Sequence, residues 1–379
     1  MSDQLECTQG IFQLTRCPEN KKQGLRAWDA ADEYLLNELQ EKQLLKDSKK
    51  ILLINDSFGA LATALSAQHS LTLWSDSFLS WQCTAKNLAD NQLSDESIKR
   101  LKSTETPAGE FDLVLMKIPK SHLYLQDLLQ RLSAVLTTNT TLIAAAMAKN
   151  IHSSTLAVFE KTLAPTTTSL AKKKARLVYV DTAKVKTKNH DASVKQYLLE
   201  NSDYQLNNYS NVFSAQKLDI GTRLLLANIP VSSEYKTIVD MGCGNGVVGL
   251  ISAEKNPVAK VIFTDESFMA VQSATENFKA SDLNNDAEFY ATDCLQALAS
   301  GTADLVLNNP PFHQQHAVGT QLAMAMFKDA KRVLKTGGEL WVIGNRHLGY
   351  HLSLKKIFGN STLVTSDSKF VILKALKKP

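Results

Sequence analysis

The sequence predicts an α/β protein built from two tandem domains of the same kind, each a mostly parallel sheet wound by helices. Three observations predict it. The apolar run Ile238-Val239-Asp240-Met241 opens directly into the glycine-rich turn Gly242-Cys243-Gly244-Asn245-Gly246, the transition that seats a nucleoside at a strand end. A second apolar run, Ala303-Asp304-Leu305-Val306-Leu307, leads into Asn309-Pro310-Pro311-Phe312. Finally, residues of the first half recur in order in the second half, as an internal repeat requires.

In the second half, alternating patterns place strands at 237–241, 260–264, 287–291, 303–308, 339–344, 361–365 and 369–375. Helical spacing fits 246–255, 267–280, 318–334 and 350–358, an alternation that calls for a parallel sheet. Gly337-Gly338 marks a turn between the third of these helices and the next strand. Upstream, Asn211-Val212-Phe213-Ser214 precedes Leu218-Asp219-Ile220-Gly221, which starts a helix ending before Pro230. This lead-in is placed to lie across a ligand mouth or to pack on the sheet.

The first half repeats the layout. A shift of 190 carries Ser77, Phe78, Gln82, Asn87 and Leu93 onto identical residues at 267, 268, 272, 277 and 283, and Asp29 onto Asp219. A shift of 192 carries Asp112-Leu113-Val114-Leu115 onto Asp304-Leu305-Val306-Leu307 and Pro119 onto Pro311. The chemistry does not follow. The turn after strand 51–55 is Asp56-Ser57-Phe58-Gly59, Ser75 stands where Asp265 stands, and Lys117-Ile118-Pro119-Lys120 replaces Asn309-Pro310-Pro311-Phe312. The boundary falls near 185–200, with Thr182–Asp191 as a linker, giving domains at 1–190 and 200–379. A copy that keeps its core without its pocket either grips a large substrate, structured RNA first, or braces its neighbour.

The residue types fit methyl transfer from S-adenosyl-L-methionine to a base nitrogen. An exocyclic amine is a poor nucleophile because its lone pair is delocalised into the ring. The Asn309 side-chain oxygen and the Pro310 carbonyl are two acceptors that can draw that lone pair out of the plane. Pro310 also holds Asn309 extended, and Phe312, with Pro311 and His313 beside it, offers a face for the base. The cofactor residues are Phe213, Asp240, Gly242, Cys243, Gly244, Asp265, Asp293 and Asn309, with Asp265 for the ribose hydroxyls and Asp293 for the adenine amine. No strong base is needed, because the methylated ammonium is itself acidic, so His313 and His316 receive no proton-transfer role. Taken singly, an Asn-Pro-Pro turn or a Gly-x-Gly-x-Gly is ordinary turn chemistry. The turn also suits an adenine N6 amine or a glutamine side-chain amide, and the site alone does not separate them.

Composition sets the class. Of 379 residues, 44% are hydrophobic and 21% charged, as in a globular protein with a substantial core. The amino terminus is polar, and no apolar run is long enough to span a bilayer. A cytoplasmic location without membrane association is expected. Five scattered cysteines lack metal-ligand spacing and read as free thiols; no metal is expected. The net charge of +4 fits a nucleic-acid partner weakly. Local clusters are Lys172-Lys173-Lys174 with Arg176, then Lys184, Lys186 and Lys188, and Lys21, Lys22 and Arg26; each is equally a solvated loop.

With these residues in view, the chain resembles the bacterial ribosomal RNA guanine-N2 methyltransferases that carry a duplicated class I, Rossmann-like methyltransferase domain, the first copy degenerate. The resemblance rests on Phe213-Ser214, Leu218-Asp219-Ile220-Gly221-Thr222, Asp240–Gly246, Asp265, Asn309-Pro310-Pro311-Phe312-His313 and Asn345-Arg346-His347-Leu348, and reaches Leu25–Ala30 in the first copy. Within the family, His313-Gln314-Gln315-His316 points to the large-subunit branch. The resemblance implies 23S rRNA as substrate and N2-methylguanosine as product, with a monomer as the expected state. The runners-up are a 16S rRNA guanine-N2 enzyme and a non-catalytic rRNA assembly factor.

Overall fold

The computed structural model describes residues 3–18, 25–186, 193–311 and 316–379, with backbone only for 316–320. The chain divides into two compact units, Met1–Ser193 and Val194–Pro379.

The first unit runs β1 (Gln4–Cys7), β2 (Gly10–Gln13), α1 (Ala30–Glu41), β3 (Lys50–Ile54), α2 (Ala60–Leu65), β4 (Ser70–Ser75), α3 (Phe78–Asp90), β5 (Lys99–Lys102), β6 (Leu113–Lys117), α4 (His122–Leu132), β7 (Thr141–Met147), α5 (Ser153–Thr162), β8 (Thr166–Thr168) and β9 (Ala175–Val180). The second repeats this succession as β10 (Val194–Leu198), β11 (Gln205–Tyr209), α6 (Ile220–Ala227), β12 (Thr237–Met241), α7 (Val247–Lys255), β13 (Lys260–Asp265), α8 (Phe268–Lys279), β14 (Ala287–Ala291), β15 (Ala303–Asn308), α9 (His316–Val333), β16 (Leu334–Asn345), α10 (Tyr350–Phe358), β17 (Thr362–Ser366) and β18 (Phe370–Leu376).

Both main sheets have seven strands in the same order, β5-β4-β3-β6-β7-β9-β8 and β14-β13-β12-β15-β16-β18-β17. The five strands from β5 to β7, and from β14 to β16, are parallel; the last two pairings in each sheet are antiparallel. The central strands are buried on both faces, which explains runs such as Ile51-Leu52-Leu53-Ile54 and Ile238-Val239. In the second unit, α6, α7 and α8 cover one face around Phe263 and Phe278, and α9 and α10 cover the other around Phe327 and Leu354.

The repeat extends to individual hydrogen bonds. Ser77 and Ser267 cap α3 and α8, each accepting from the third helical N–H at 3.1 Å. Asp112 accepts from the Lys50 N–H at 2.8 Å, and Asp304 accepts from Lys236 and Thr237 at 2.9 Å, closing the start of each first parallel strand. Asn87 donates to the Phe58 and Thr15 carbonyls at 2.7 and 3.0 Å. Asn277 donates to those of Asn245 and Asn207, both at 2.9 Å.

Three expectations need correction. The hairpins β1–β2 and β10–β11 lie in segments for which the sequence suggested no strands. Their apolar alternation is interrupted: β10 buries none of its side chains, and β11 buries Asn208 beside Leu206. Residues 194–199 therefore belong to the second unit. The first parallel strand stops at Ile54, and Asn55 turns away at φ 60°. The Gly337-Gly338 turn lies inside β16, where Gly337 at φ 85° accompanies a register shift against β15.

Candidate active site

The order β14-β13-β12-β15 brings the expected residues to one edge of the second sheet, outside the carboxyl ends of its parallel strands. The glycine turn follows β12, Asp265 ends β13, Asp293 lies two residues past β14, and Asn309 follows β15.

The glycine turn is held from several sides. Gly242 and Cys243 donate to the Thr264 carbonyl at 2.8 and 2.9 Å. Gly246, at φ 81°, lets α7 start against α8, where a Cβ would come within 2.8 Å of the Ala274 Cβ. Gly244, at φ 54°, faces open space with no atom within 4 Å of a would-be Cβ. Its N–H donates to Asp265 Oδ2 at 2.9 Å, while Ser267 N–H donates to Oδ1 at 3.0 Å. Backbone amides thus aim the Asp265 carboxylate at the turn.

Asp240 is buried and accepts from the Gly249 N–H at 2.8 Å. Burial, reinforced by the nearby Asp265 charge and opposed by that one hydrogen bond, pushes its carboxyl up to about 7. Burial also raises the Cys243 thiol well above its usual range, so it serves as packing rather than as a nucleophile. Asp293 accepts from the Gln296 amide at 2.9 Å. Two supports were not evident from sequence. Asn245 donates to the Tyr197 hydroxyl and to Asn208 Oδ1, each at 2.9 Å, so the β10–β11 hairpin braces the turn. No local motif announces this long-range pairing.

At the end of β15, Asn308 donates to the Met241 carbonyl at 2.9 Å. Asn309 donates from Nδ2 to Thr222 Oγ1 at 3.0 Å. Its Oδ1 is buried and, among the described residues, accepts no hydrogen bond. Leaving a buried amide oxygen unmatched costs about 1–3 kcal/mol; Asn308 Oδ1 is in the same state among the described residues. Pro310 is buried and Pro311 exposed. Phe312 and His313 lie outside the described residues. Phe213 is 57% exposed between β11 and α6.

The same edge of the first sheet is filled. Trp74 holds the register place of Thr264 and is fully buried under Arg131, 4.8 Å from its ring centroid. Arg131 pairs with Asp127 at 2.5 Å, both side chains inaccessible. Asn55, in the place of Gly242, accepts from the Tyr124 hydroxyl at 3.1 Å. Lys117, in the place of Asn309, bridges Asp29 and Asp32 at 2.8 and 2.7 Å. Burial alone would lower its pKa, but the two carboxylates outweigh burial and raise it.

Several of the basic clusters are matched by acids. Lys172 pairs with Glu41 at 3.2 Å, Lys173 with Glu33 at 2.7 Å and Lys184 with Asp181 at 3.0 Å. Arg26 lies 3.9 Å from Glu33, and Lys21, Lys22 and Lys188 are outside the described residues. Among those residues, no group of three or more His, Cys, Asp or Glu side chains could hold a metal ion, and no helix is long and apolar enough to cross a membrane.

Comparison with known proteins agrees with this division. The family model "RLMG N-terminal domain" matches residues 2–186, and "Methyltransferase small domain" matches residues 203–374. Ribosomal RNA large subunit methyltransferase G of Streptomyces avermitilis is 44% identical over 383 residues, covering 100% of both chains. The protein of that name from Vibrio vulnificus is 46% identical over 367 residues, covering 96% of each. Among solved structures, a T. thermophilus 16S rRNA N2 methyltransferase in complex with AdoMet and guanosine has the same fold. Its TM-score is 0.78 at 20% identity, covering 99% of this chain and 97% of that one. The chain belongs to the ribosomal RNA large subunit methyltransferase G family.

Proposed function

We propose that the second unit methylates the exocyclic N2 amine of a guanine in 23S rRNA, using S-adenosyl-L-methionine and giving N2-methylguanosine. The names of the relatives support the large-subunit substrate. The similar solved structure, a 16S rRNA N2 methyltransferase in complex with AdoMet and guanosine, suggests the nitrogen and the cofactor. The observation that carries the chemistry is the buried Asn309 Oδ1, unmatched among the described residues, at the same strand edge as the glycine turn and Asp265.

The residues present fit the cofactor. Gly244 leaves space at the turn, and Asp265 is pre-aimed beside it as an acceptor for ribose hydroxyls. The buried Asp240, its carboxyl pushed up to about 7, adds negative charge behind the turn when ionised, which a cationic ligand favours. When bound, S-adenosyl-L-methionine supplies an already activated methyl group. What this chain adds is alignment. Asn309 Oδ1 and the Pro310 carbonyl accept the two amine N–H groups and hold the nitrogen lone pair toward the donor. The target base must leave its stack for these contacts to form, with Phe312 as the ring it meets. The first unit adds affinity for RNA phosphates and binds no cofactor; the protein acts as a monomer in the cytoplasm.

The test is mass mapping of methylated nucleotides after incubating the purified protein and cofactor with 23S and 16S rRNA. N2-methylguanosine at one 23S position is expected. Methylation of 16S rRNA alone, or of neither, overturns the proposal.

A further inference from the structure

We infer that Thr222 is a positioning residue for the reaction, setting which end of the Asn309 amide faces the substrate amine. The inference rests on the proposed role of Asn309 as an acceptor.

A primary amide has two ends of nearly equal size and opposite hydrogen-bonding sense. If Oδ1 faces the base amine, it accepts an N–H. If the group is turned over, two N–H donors confront the amine's own donors, and the site repels its substrate. The backbone does not decide between these states; a neighbour must. Thr222 Oγ1 lies 3.0 Å from Asn309 Nδ2, leaving Oδ1 buried and free of partners among the described residues. Thr222 is itself fixed in the first turn of α6, where its N–H donates to Asp219 Oδ2 at 3.0 Å.

A threonine hydroxyl can donate as well as accept, so this contact alone leaves the direction open. The first unit offers a direction by analogy. A shift of 190 carries Asp32 onto Thr222, as it carries the cap Asp29 onto Asp219, and Lys117 stands where Asn309 stands. There the contact joins Lys117 Nζ to Asp32 Oδ1 at 2.7 Å. An ammonium only donates, so the Asp32 oxygen facing it accepts. The fold therefore has a strand-to-helix contact in which the residue after the strand donates and the residue in the helix's first turn accepts. With Asn309 and Thr222 in those places, the donating end is Nδ2 and the oxygen faces outward.

The test uses the full chain with Thr222→Val, Thr222→Ser and Asn309→Ala, and Thr222→Val combined with Asn309→Asp. Single-turnover methylation of 23S rRNA is measured beside cofactor affinity. Thr222→Val should slow transfer about ten-fold, the scale of one hydrogen bond, with cofactor affinity within about two-fold. Thr222→Ser should restore the rate. In the Asn309→Asp background, where both oxygens accept, Thr222→Val should cost nothing further. An unchanged rate in Thr222→Val while Asn309→Ala is inactive overturns this inference alone. A loss of equal size in both backgrounds, or loss of cofactor binding, makes Thr222 a residue of the fold and also overturns it. Wild-type transfer by Asn309→Ala would instead overturn the acceptor role of Asn309.

Discussion

Trp74 and Thr264 hold the same register place in the two sheets: Trp74 pairs with Ile54 and Thr264 with Met241, each the last residue of its central strand. In one unit a buried indole lies there against the Arg131 guanidinium; in the other a small hydroxyl is left buried without a partner among the described residues. The chain should therefore bind one S-adenosyl-L-methionine. Isothermal titration should give a stoichiometry of one, and a second site of comparable affinity would show that Trp74 does not close the first unit.

Asn309→Ala should reduce single-turnover methylation by about 10²–10³-fold, the scale seen when one preorganised transition-state contact is removed. Affinity for cofactor and rRNA should stay near wild type, because phosphate contacts elsewhere supply most RNA binding. Binding assays and rates measured on the same preparations separate the two effects.

Asp265→Ala should weaken S-adenosyl-L-methionine binding by about 1–3 kcal/mol, through loss of a charged acceptor. The Gly244 N–H also loses its partner, so the turn loosens as well. Unchanged affinity in a folded variant would remove Asp265 from the cofactor site.

The pH dependence follows from Asp240, whose carboxyl burial pushes up to about 7. Below that value it is largely neutral and above it anionic. A cationic ligand favours the anion, so cofactor affinity should fall as pH drops from 8 to 6. Calorimetry across this window should show the fall in the wild type, with proton release on binding near pH 7, and a flatter profile in Asp240→Asn.

Lys117→Met should destabilise the first unit by about 3–5 kcal/mol, because it strands the buried Asp32 beside the buried Asp56. Burial first, and then Asp32, already push the Asp56 carboxyl up to about 6. Chemical denaturation should show an earlier first transition, while cofactor affinity at the second unit is retained.

The parallel strands were legible because central strands buried on both faces are apolar throughout, and the helices because caps such as Ser77, Ser267 and Asp219 announce them. That Asp265, the glycine turn and Asn309 meet at one sheet edge was legible because each directly follows, or ends, an apolar strand. The hairpins were not, since the packing of β11 depends on Asn208 meeting Asn245, a contact across 37 positions. Nor was the filling of the first pocket. Lys117 shows in sequence only as the replacement of Asn309; its partners Asp29 and Asp32 lie 88 and 85 positions away.

Asn87 and Asn277 grip equivalent turns through the carbonyls of Phe58 and Asn245. One molecule therefore carries both a sample and its blank. When hydrogen exchange is followed in the two turns as cofactor is added, drift from temperature, buffer or concentration touches both alike. Protection that grows around Gly244 while the Ser57 region stays level reports occupancy directly, without a second preparation for comparison.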